Sequence, residues 1–247
     1  MLTQEKNTFK DEPVRLNKFL SDAGYCSRRE ADRLIEAGRI TVDGQKAAVG
    51  MKISPSQIVR VDGEVVEREN ERVLLSFHKP RGVVCTTDTT WGDTTIYDLI
   101  DYPKRVFSAG RLDKDSEGLL LMTNDGDLVN KIMRAANYHE KEYLVSVDRE
   151  IRPDFLQNLS EGVYLKELNI RTRPCEVFSV DRFRFRIILT QGLNRQIRRM
   201  CDAFGYRVTR LIRVRVMNVE LGNLKPGAYR PLTTEEAAGL LDQVSRQ

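Results

Sequence analysis

GRLDKDSEGLLLMTNDG, residues 110–126, is the stretch on which the reading of this chain turns. Its charged side chains, among them Asp113, Asp115 and Glu117, stand between an apolar strand at Val106–Ala109 and the apolar run LLLM at 119–122. A polar loop between two buried strands is a natural place for a site, since the strands give rigidity and the loop gives exposed groups. As residue types, Asp113 and Asp115 allow Asx turns. With Glu117 and Gly118 they also resemble the start of a calcium loop. That reading fails at the twelfth position, which needs a bidentate Glu and holds Asn124, and the loop runs into a strand rather than a helix.

Upstream of the loop, VLLSFHKP (Val73–Pro80) and VVCTT (Val83–Thr87) read as strands joined by a Pro-Arg-Gly turn. Downstream, strands are expected at Leu119–Met122, Tyr143–Val147, Glu176–Val180, Phe183–Thr190 and Tyr206–Val216. Helices are expected at Thr95–Ile100, Asp127–Ala135, Pro153–Leu159, Arg195–Phe204 and Thr233–Val244. Strands outnumber helices and alternate with them irregularly, which predicts an α+β domain on a mostly antiparallel mixed sheet with flanking helices, over residues 73–247.

The N-terminal part has a different grain. Leu16, Phe19, Leu20 and Ala23 follow helical spacing up to Gly24, and Ser27 with Glu30 forms a capping box for a second helix ending at Gly38. A short strand and two Asp-Gly turns, at Asp43-Gly44 and Asp62-Gly63, complete a small unit. Arg28, Arg29 and Arg33 sit near the start of the second helix, where basic groups oppose the macrodipole, so a phosphate ligand would resolve the conflict. The spacing predicts a small domain over 13–61, followed by an acidic linker over 62–72 that holds two basic residues against five acids.

Charge is unevenly spread. The net +4 says little, but residues 182–215 contain ten arginines, no lysine and the single acid Asp202. Arginine suits forked contacts to phosphate, so an anion is expected to meet this stretch, with a solvated strand face as the alternative. The remaining composition, 40% hydrophobic and 31% charged, is that of a globular protein. No apolar run approaches the ~18 residues that span a bilayer, and the polar start MLTQEKNTFKDE predicts no signal peptide, hence a cytoplasmic protein with its first 12 residues loosely ordered. Cys26, Cys85, Cys175 and Cys201 form no C-x-x-C pair and are expected as reduced, buried thiols. His78 and His139 lie apart from each other and read as structural. With no Walker loop, dinucleotide fingerprint or clustered ligands, no cofactor or metal is expected, and a monomer is the default.

The N-terminal patterns R-L-N-K-F-L from Arg15 and S-R-R-E-A-D from Ser27 resemble the S4 RNA-binding module. This implies that Arg15, Lys18, Ser27, Arg28 and Arg29 face structured RNA. The stretch 110–126 resembles the signature of the bacterial pseudouridine synthases that act on rRNA, the group comprising small-subunit type A and large-subunit types B, E and F. K-P-x-G at Lys79, K-x-Y-x-V at Lys141 and G-L-N-R-Q-I-R-R-M at Gly192 occur in that group's order. H-E-K-E-Y-L-V and R-V-M-N-V look closest to the F type, which implies 23S rRNA as substrate, with 16S rRNA or a tRNA stem-loop as alternatives.

What the resemblance implies for chemistry is specific. Uridine isomerisation breaks the N1–C1′ bond, turns the freed uracil and joins C5 to the same sugar. Asp113 would be the nucleophile, and Arg198 the cation that keeps it ionised in an apolar cleft. Tyr143 would stack on the flipped base and take part in proton removal. Lys79, Arg111, Asn194, Arg195 and Arg199 would touch RNA. At helical spacing Arg195 and Arg199 share a face while Arg198 is turned away, which separates phosphate-facing from pocket-facing arginines. Two other classes stay open on the residues alone: a non-catalytic RNA-binding assembly factor, and a metal-dependent phosphodiesterase using Asp113 and Asp115.

Overall fold

The chain enters through β1 (Val14–Arg15) into α1 (Leu16–Asp22), where Leu16, Phe19 and Leu20 recur on one side and are buried. A computed structural model describes residues 12–67, 69, 71–87 and 92–246. The order expected of residues 1–12 therefore falls, but for Glu12, outside the described residues. The chain divides into two units: one runs up to Val73 with Tyr102–Phe107 and Thr123–Gly126, and the other holds the remainder.

In the first unit, α2 (Arg28–Glu36) starts where Ser27 Oγ accepts the backbone N–H of Glu30 at 3.1 Å, and it buries Ala31, Leu34 and Ile35. A four-stranded sheet has the order β3-β2-β5-β6, from β2 (Ile40–Val42), β3 (Gln45–Lys46), β5 (Val59–Val61) and β6 (Glu64–Val65), while β4 (Lys52–Ile53) pairs with β1. The turns Asp43-Gly44 and Asp62-Gly63 take φ of 50°, 81°, 51° and 90°. Positive φ at both central residues matches the twist of a two-residue hairpin, and Asp-Gly adopts it at little steric cost. The second hairpin carries Glu64 and Val65 into the sheet, inside the stretch read as linker. Asn124 Oδ1 accepts the amide of Val73 at 2.9 Å and Asn124 Nδ2 donates to Glu71 O, so the end of the 110–126 stretch clasps the end of the acidic segment.

The second unit is built on a nine-stranded sheet. Its strands are β7 (Leu74–Lys79), β8 (Phe107–Ala109), β9 (Glu117–Thr123), β10 (Lys141–Val147), β13 (Glu176–Ser179), β14 (Arg184–Leu189), β15 (Val208–Val216), β16 (Val219–Glu220) and β17 (Tyr229–Pro231). Their order is β13-β14-β10-β15-β9-β7-β17, with β8 on β9 and β16 on β15. β15 runs parallel to β9, and the pairs β13–β14, β14–β10, β10–β15 and β7–β17 are antiparallel. The mixed, mostly antiparallel α+β architecture expected from the pattern is the one observed. A separate pair, β11 (Tyr164–Leu165) and β12 (Ile170–Arg171), lies off the sheet.

Two cores form about this sheet. α4 (Pro153–Ser160) and α5 (Gln196–Asp202) supply Phe155, Leu159, Ile197 and Met200 to a cluster with Val145, Phe185, Ile187 and Leu211. α3 (Gly126–Met133) and α6 (Thr234–Ser245) supply Leu128, Ile132, Leu240 and Val244 to another with Leu119, Leu121 and Val216. Leu211 and Ile212, consecutive on β15, serve one cluster each, as the period of two requires.

Some expectations fail. Val83–Thr87 forms no strand; Val84 makes an isolated bridge with Thr95. Only Val83 of this stretch is buried, so there is no apolar face to lay on the sheet. Thr95–Ile100 shrinks to a single 3-10 turn, Ile96–Asp98, closed by Thr95 and Asp98 capping each other. Of the four free cysteines only Cys201 is buried, the other three being half-buried. Among the described residues no helix is long and apolar enough to cross a membrane.

Candidate active site

Gly118, the second residue of β9 just after the loop, has φ 112°. A Cβ there would lie 2.3 Å from the carbonyl oxygen of Arg213 and 2.6 Å from its nitrogen, so only glycine lets β9 lie against β15 at this point. Register then draws one row across the sheet: Ile187 on β14, Tyr143 on β10, Arg213 on β15 and Gly118 on β9. With strands about 4.8 Å apart, the loop leaves the sheet some 10 Å from the backbone of Tyr143. Tyr143 is half-buried and packs on the core that α5 covers.

The loop itself is tied down at successive carbonyls. The Asp113 carbonyl accepts the amide of Ser116 at 3.1 Å, and that of Lys114 accepts the amide of Gly82 at 2.7 Å. The Asp115 carbonyl accepts Arg198 Nη2 at 3.0 Å, and the Ser116 carbonyl accepts Lys79 Nζ at 2.7 Å. Such a loop presents its side chains in one arrangement. Lys79 was expected to touch RNA. It is 0% exposed, its ammonium donating to the carbonyls of Pro80 and Ser116 beneath the loop. Burial lowers its pKa, and Cys85, Asp113, Asp115 and Glu117 oppose that shift.

The arginines also differ from expectation. Arg198 Nη2 lies 3.2 Å from Asp115 Oδ2 and 3.3 Å from Ser116 Oγ, and its Nη1 donates to Val208 O at 3.2 Å. Its carboxylate partner is thus Asp115 rather than Asp113. Burial lowers the pKa of Arg198, while Asp115 opposes the loss of charge. Arg195 Nη1 is 3.3 Å from Asp115 Oδ1 and 4.0 Å from Asp113 Oδ2. The anticipated separation of Arg195 from Arg198 fails because Arg195 precedes the helix as its N-cap, with φ 50° and ψ 33°, so helical spacing does not govern its direction. Arg199 instead donates to Asn194 O at 3.0 Å and pairs with Glu167.

Asp113 keeps a partly open carboxylate, its side chain 31% exposed. Arg111, Asn194 and Arg195 are exposed on the same unit. On the first unit Arg15, Arg28 and Arg29 are exposed, Lys18 pairs with Asp22, and the Ser27 hydroxyl is engaged as the cap of α2. In the sequence Asp115 has only its Asx-turn and metal readings; its place two residues after Asp113 is the signal that could have found it as the partner of Arg198. Among the described residues no group of three His, Cys, Asp or Glu gathers as a metal site would need.

The arginine-rich stretch meets anions supplied by the protein itself. Arg182 pairs with Glu150, Arg184 with Asp181, Arg186 and Arg215 with Glu142, Arg207 with Asp148 and Arg210 with Glu117. Arg213, buried, donates from Nε to the Leu119 carbonyl at 2.7 Å. The local excess of charge in the sequence is largely balanced in space.

A family model described as RNA pseudouridylate synthase matches residues 73–203, and the S4 domain model matches residues 14–59. The chain belongs to the RNA pseudouridylate synthase family. It is 50% identical over 232 residues to the dual-specificity RNA pseudouridine synthase RluF of Escherichia coli K12, covering 93% of this chain and 79% of the relative. It is 36% identical to the ribosomal small subunit pseudouridine synthase A of Yersinia pestis, over 92% of this chain and 98% of the relative. A crystal structure of a pseudouridylate synthase superposes with a TM-score of 0.69 at 30% identity, over 92% of this chain and 99% of that one. The protein is accordingly an isomerase acting on RNA, and the non-catalytic factor and the phosphodiesterase give way to it.

Proposed function

We propose that this synthase isomerises a specific uridine of 23S rRNA, with Asp113 as the nucleophile. The observation that carries the reading is the Asp113 carboxylate itself: partly open, on a loop fastened from below by Lys79 and from the side by Arg198, with the Arg195 guanidinium 4.0 Å away. An ionised carboxylate so held can add to C1′ or promote elimination as the N1–C1′ bond breaks. Rejoining through C5 then requires loss of the C5 proton and protonation of N1. Tyr143, two strands from the loop's end, stacks on the extruded uracil and takes part in those proton movements. Arg198 serves the nucleophile indirectly, by fixing the backbone of residues 115–116.

Residues 13–61 act as an S4 RNA-binding domain through Arg15, Lys18, Ser27, Arg28 and Arg29, the acidic stretch 62–72 pairs Glu64 and Val65 into that domain's sheet before leading on, and 73–247 act as the catalytic domain. Arg111, Asn194, Arg195 and Arg199 add RNA contacts. The protein works as a cytoplasmic monomer. The dual specificity named for the Escherichia coli relative supports a second substrate, for which a tRNA stem-loop is the candidate. The test is pseudouridine mapping by carbodiimide modification and primer extension in cells lacking the protein. One 23S stop restored by native protein and not by Asp113→Asn establishes reaction and nucleotide together. A map unchanged by loss of the protein refutes the rRNA assignment and directs the same assay to tRNA.

A further inference from the structure

Tyr138 has two properties that folding alone does not reward. Its backbone is left-handed, with φ 51°, a conformation that suits Gly, Asn or Asp and strains a bulky aromatic residue. The residue is also 60% exposed, so the ring contributes little to a core. The ring has a defined partner nevertheless: the guanidinium of Arg173 lies over it, 4.1 Å from the centroid. Arg173 is anchored in turn. Its backbone N–H donates to Oε1 of the buried Gln191 at 3.0 Å, and its Nη1 reaches the Thr190 carbonyl at 3.5 Å.

These anchors bound how far the pair can lie from the two segments that carry the proposed chemistry. Thr190 is five residues before Arg195, and Tyr138 is five residues before Tyr143. Five residues span at most about 18 Å, so the backbone of Tyr138 lies within that distance of Tyr143, and that of Thr190 within it of Arg195. Stacked bases advance by about 3.4 Å along one strand, so 18 Å corresponds to about five bases. Tyr138 is also fastened at its own end of β10, because the carbonyl of the next residue, His139, accepts the buried Lys141 Nζ at 2.9 Å.

We infer that Tyr138 and Arg173 form a stacking platform for an unpaired base of the RNA substrate, a few nucleotides from the uridine that is isomerised. An aromatic ring with a guanidinium on it is the chemistry that holds a splayed base, by stacking on the ring and by cationic attraction to the strand. A platform of this kind selects an RNA by where it presents an unpaired base, and so bears on which uridine reaches Asp113. The inference rests on RNA being the substrate of the proposed site.

The test uses the full-length protein and an in vitro transcript of 23S rRNA, with Kd from filter binding and pseudouridine formation measured in parallel. Tyr138→Asn removes the ring and suits the left-handed backbone, so its Tm should equal or exceed that of the native protein. Its Kd and KM should rise about 5- to 100-fold, while at saturating RNA kcat changes far less. Tyr138→Trp should keep native affinity, and Arg173→Gln should weaken it by about 5-fold. Native affinity in Tyr138→Asn would overturn the platform, as would loss of Tm to the same extent in the Asn and Trp variants. Failure of the native protein to form pseudouridine, with Kd still dependent on Tyr138, would instead refute the substrate assignment and leave the platform standing.

Discussion

Arg198 and Asp115 are joined twice: the same Nη2 lies 3.0 Å from the Asp115 carbonyl and 3.2 Å from its Oδ2. The other carboxylate oxygen, Oδ1, takes Arg195 at 3.3 Å. One acid thus fastens α5 and the residue before it to the loop that carries Asp113, and two outcomes follow from how that loop is held.

Asp115→Asn keeps the bond from Arg198 to the backbone and removes both ion pairs. Arg198 is buried while the Asp115 side chain is 37% exposed, so the loss is discounted from the full cost of stranding a buried charge, to about 1–2 kcal/mol of stability. Single-turnover isomerisation should slow by about 10- to 100-fold because the loop loses its lateral tie. A variant as fast as the native enzyme would show that the carboxylate of Asp115 plays no part in positioning.

Lys79→Met leaves the carbonyls of Pro80 and Ser116 without their shared donor. Denaturant unfolding should report a loss of about 2–4 kcal/mol. RNA binding should keep its salt slope, since a residue with no exposed surface neutralises no phosphate. A slope reduced by about one would place Lys79 on the RNA after all.

Lys141 gives a pH signature. Burial, with the Arg213 charge adding to it, lowers its pKa from 10.5 to about 8. Between those values the unfolded chain binds a proton that the native protein has released, so this group's contribution to stability rises with pH across that window. Below pH 8 the fold carries a buried ammonium in full. The stability of the native protein relative to Lys141→Met should therefore increase between pH 8 and 10.5, by no more than about 3.4 kcal/mol. A flat difference, read from urea titrations across this range, would mean that Lys141 is not desolvated in the native state.

Local order was legible in the chain itself. The Ser27 cap of α2, the Asp-Gly turns and the spacing of Leu16, Phe19 and Leu20 specify their elements because each depends on neighbours within a few residues, although the Glu30 carboxylate pairs with Arg33 instead of closing the expected capping box. The two- and three-residue strands β11, β12, β16 and β17 left no alternation to read. Val83–Thr87 misled for the complementary reason, its residue types favouring a strand where the fold forms an isolated bridge between Val84 and Thr95.

The sequence by itself determined that a polar loop with Asp113 stands between buried strands, that an RNA-binding type of module precedes it, and which family the motifs resemble. Tertiary structure alone decided which charge meets which. Ten arginines between residues 182 and 215 read as a basic surface, yet their carboxylate partners Asp115, Glu117, Glu140, Glu142, Asp148, Glu150, Glu167 and Asp181 all come from outside that stretch. Lys79 likewise reads as a free cation and is buried under a loop 35 residues away. The reason is one of range. Caps and turns are set by the backbone within a few residues, whereas a charge falls off over distance in space, and strand register sets that distance without reference to separation in sequence.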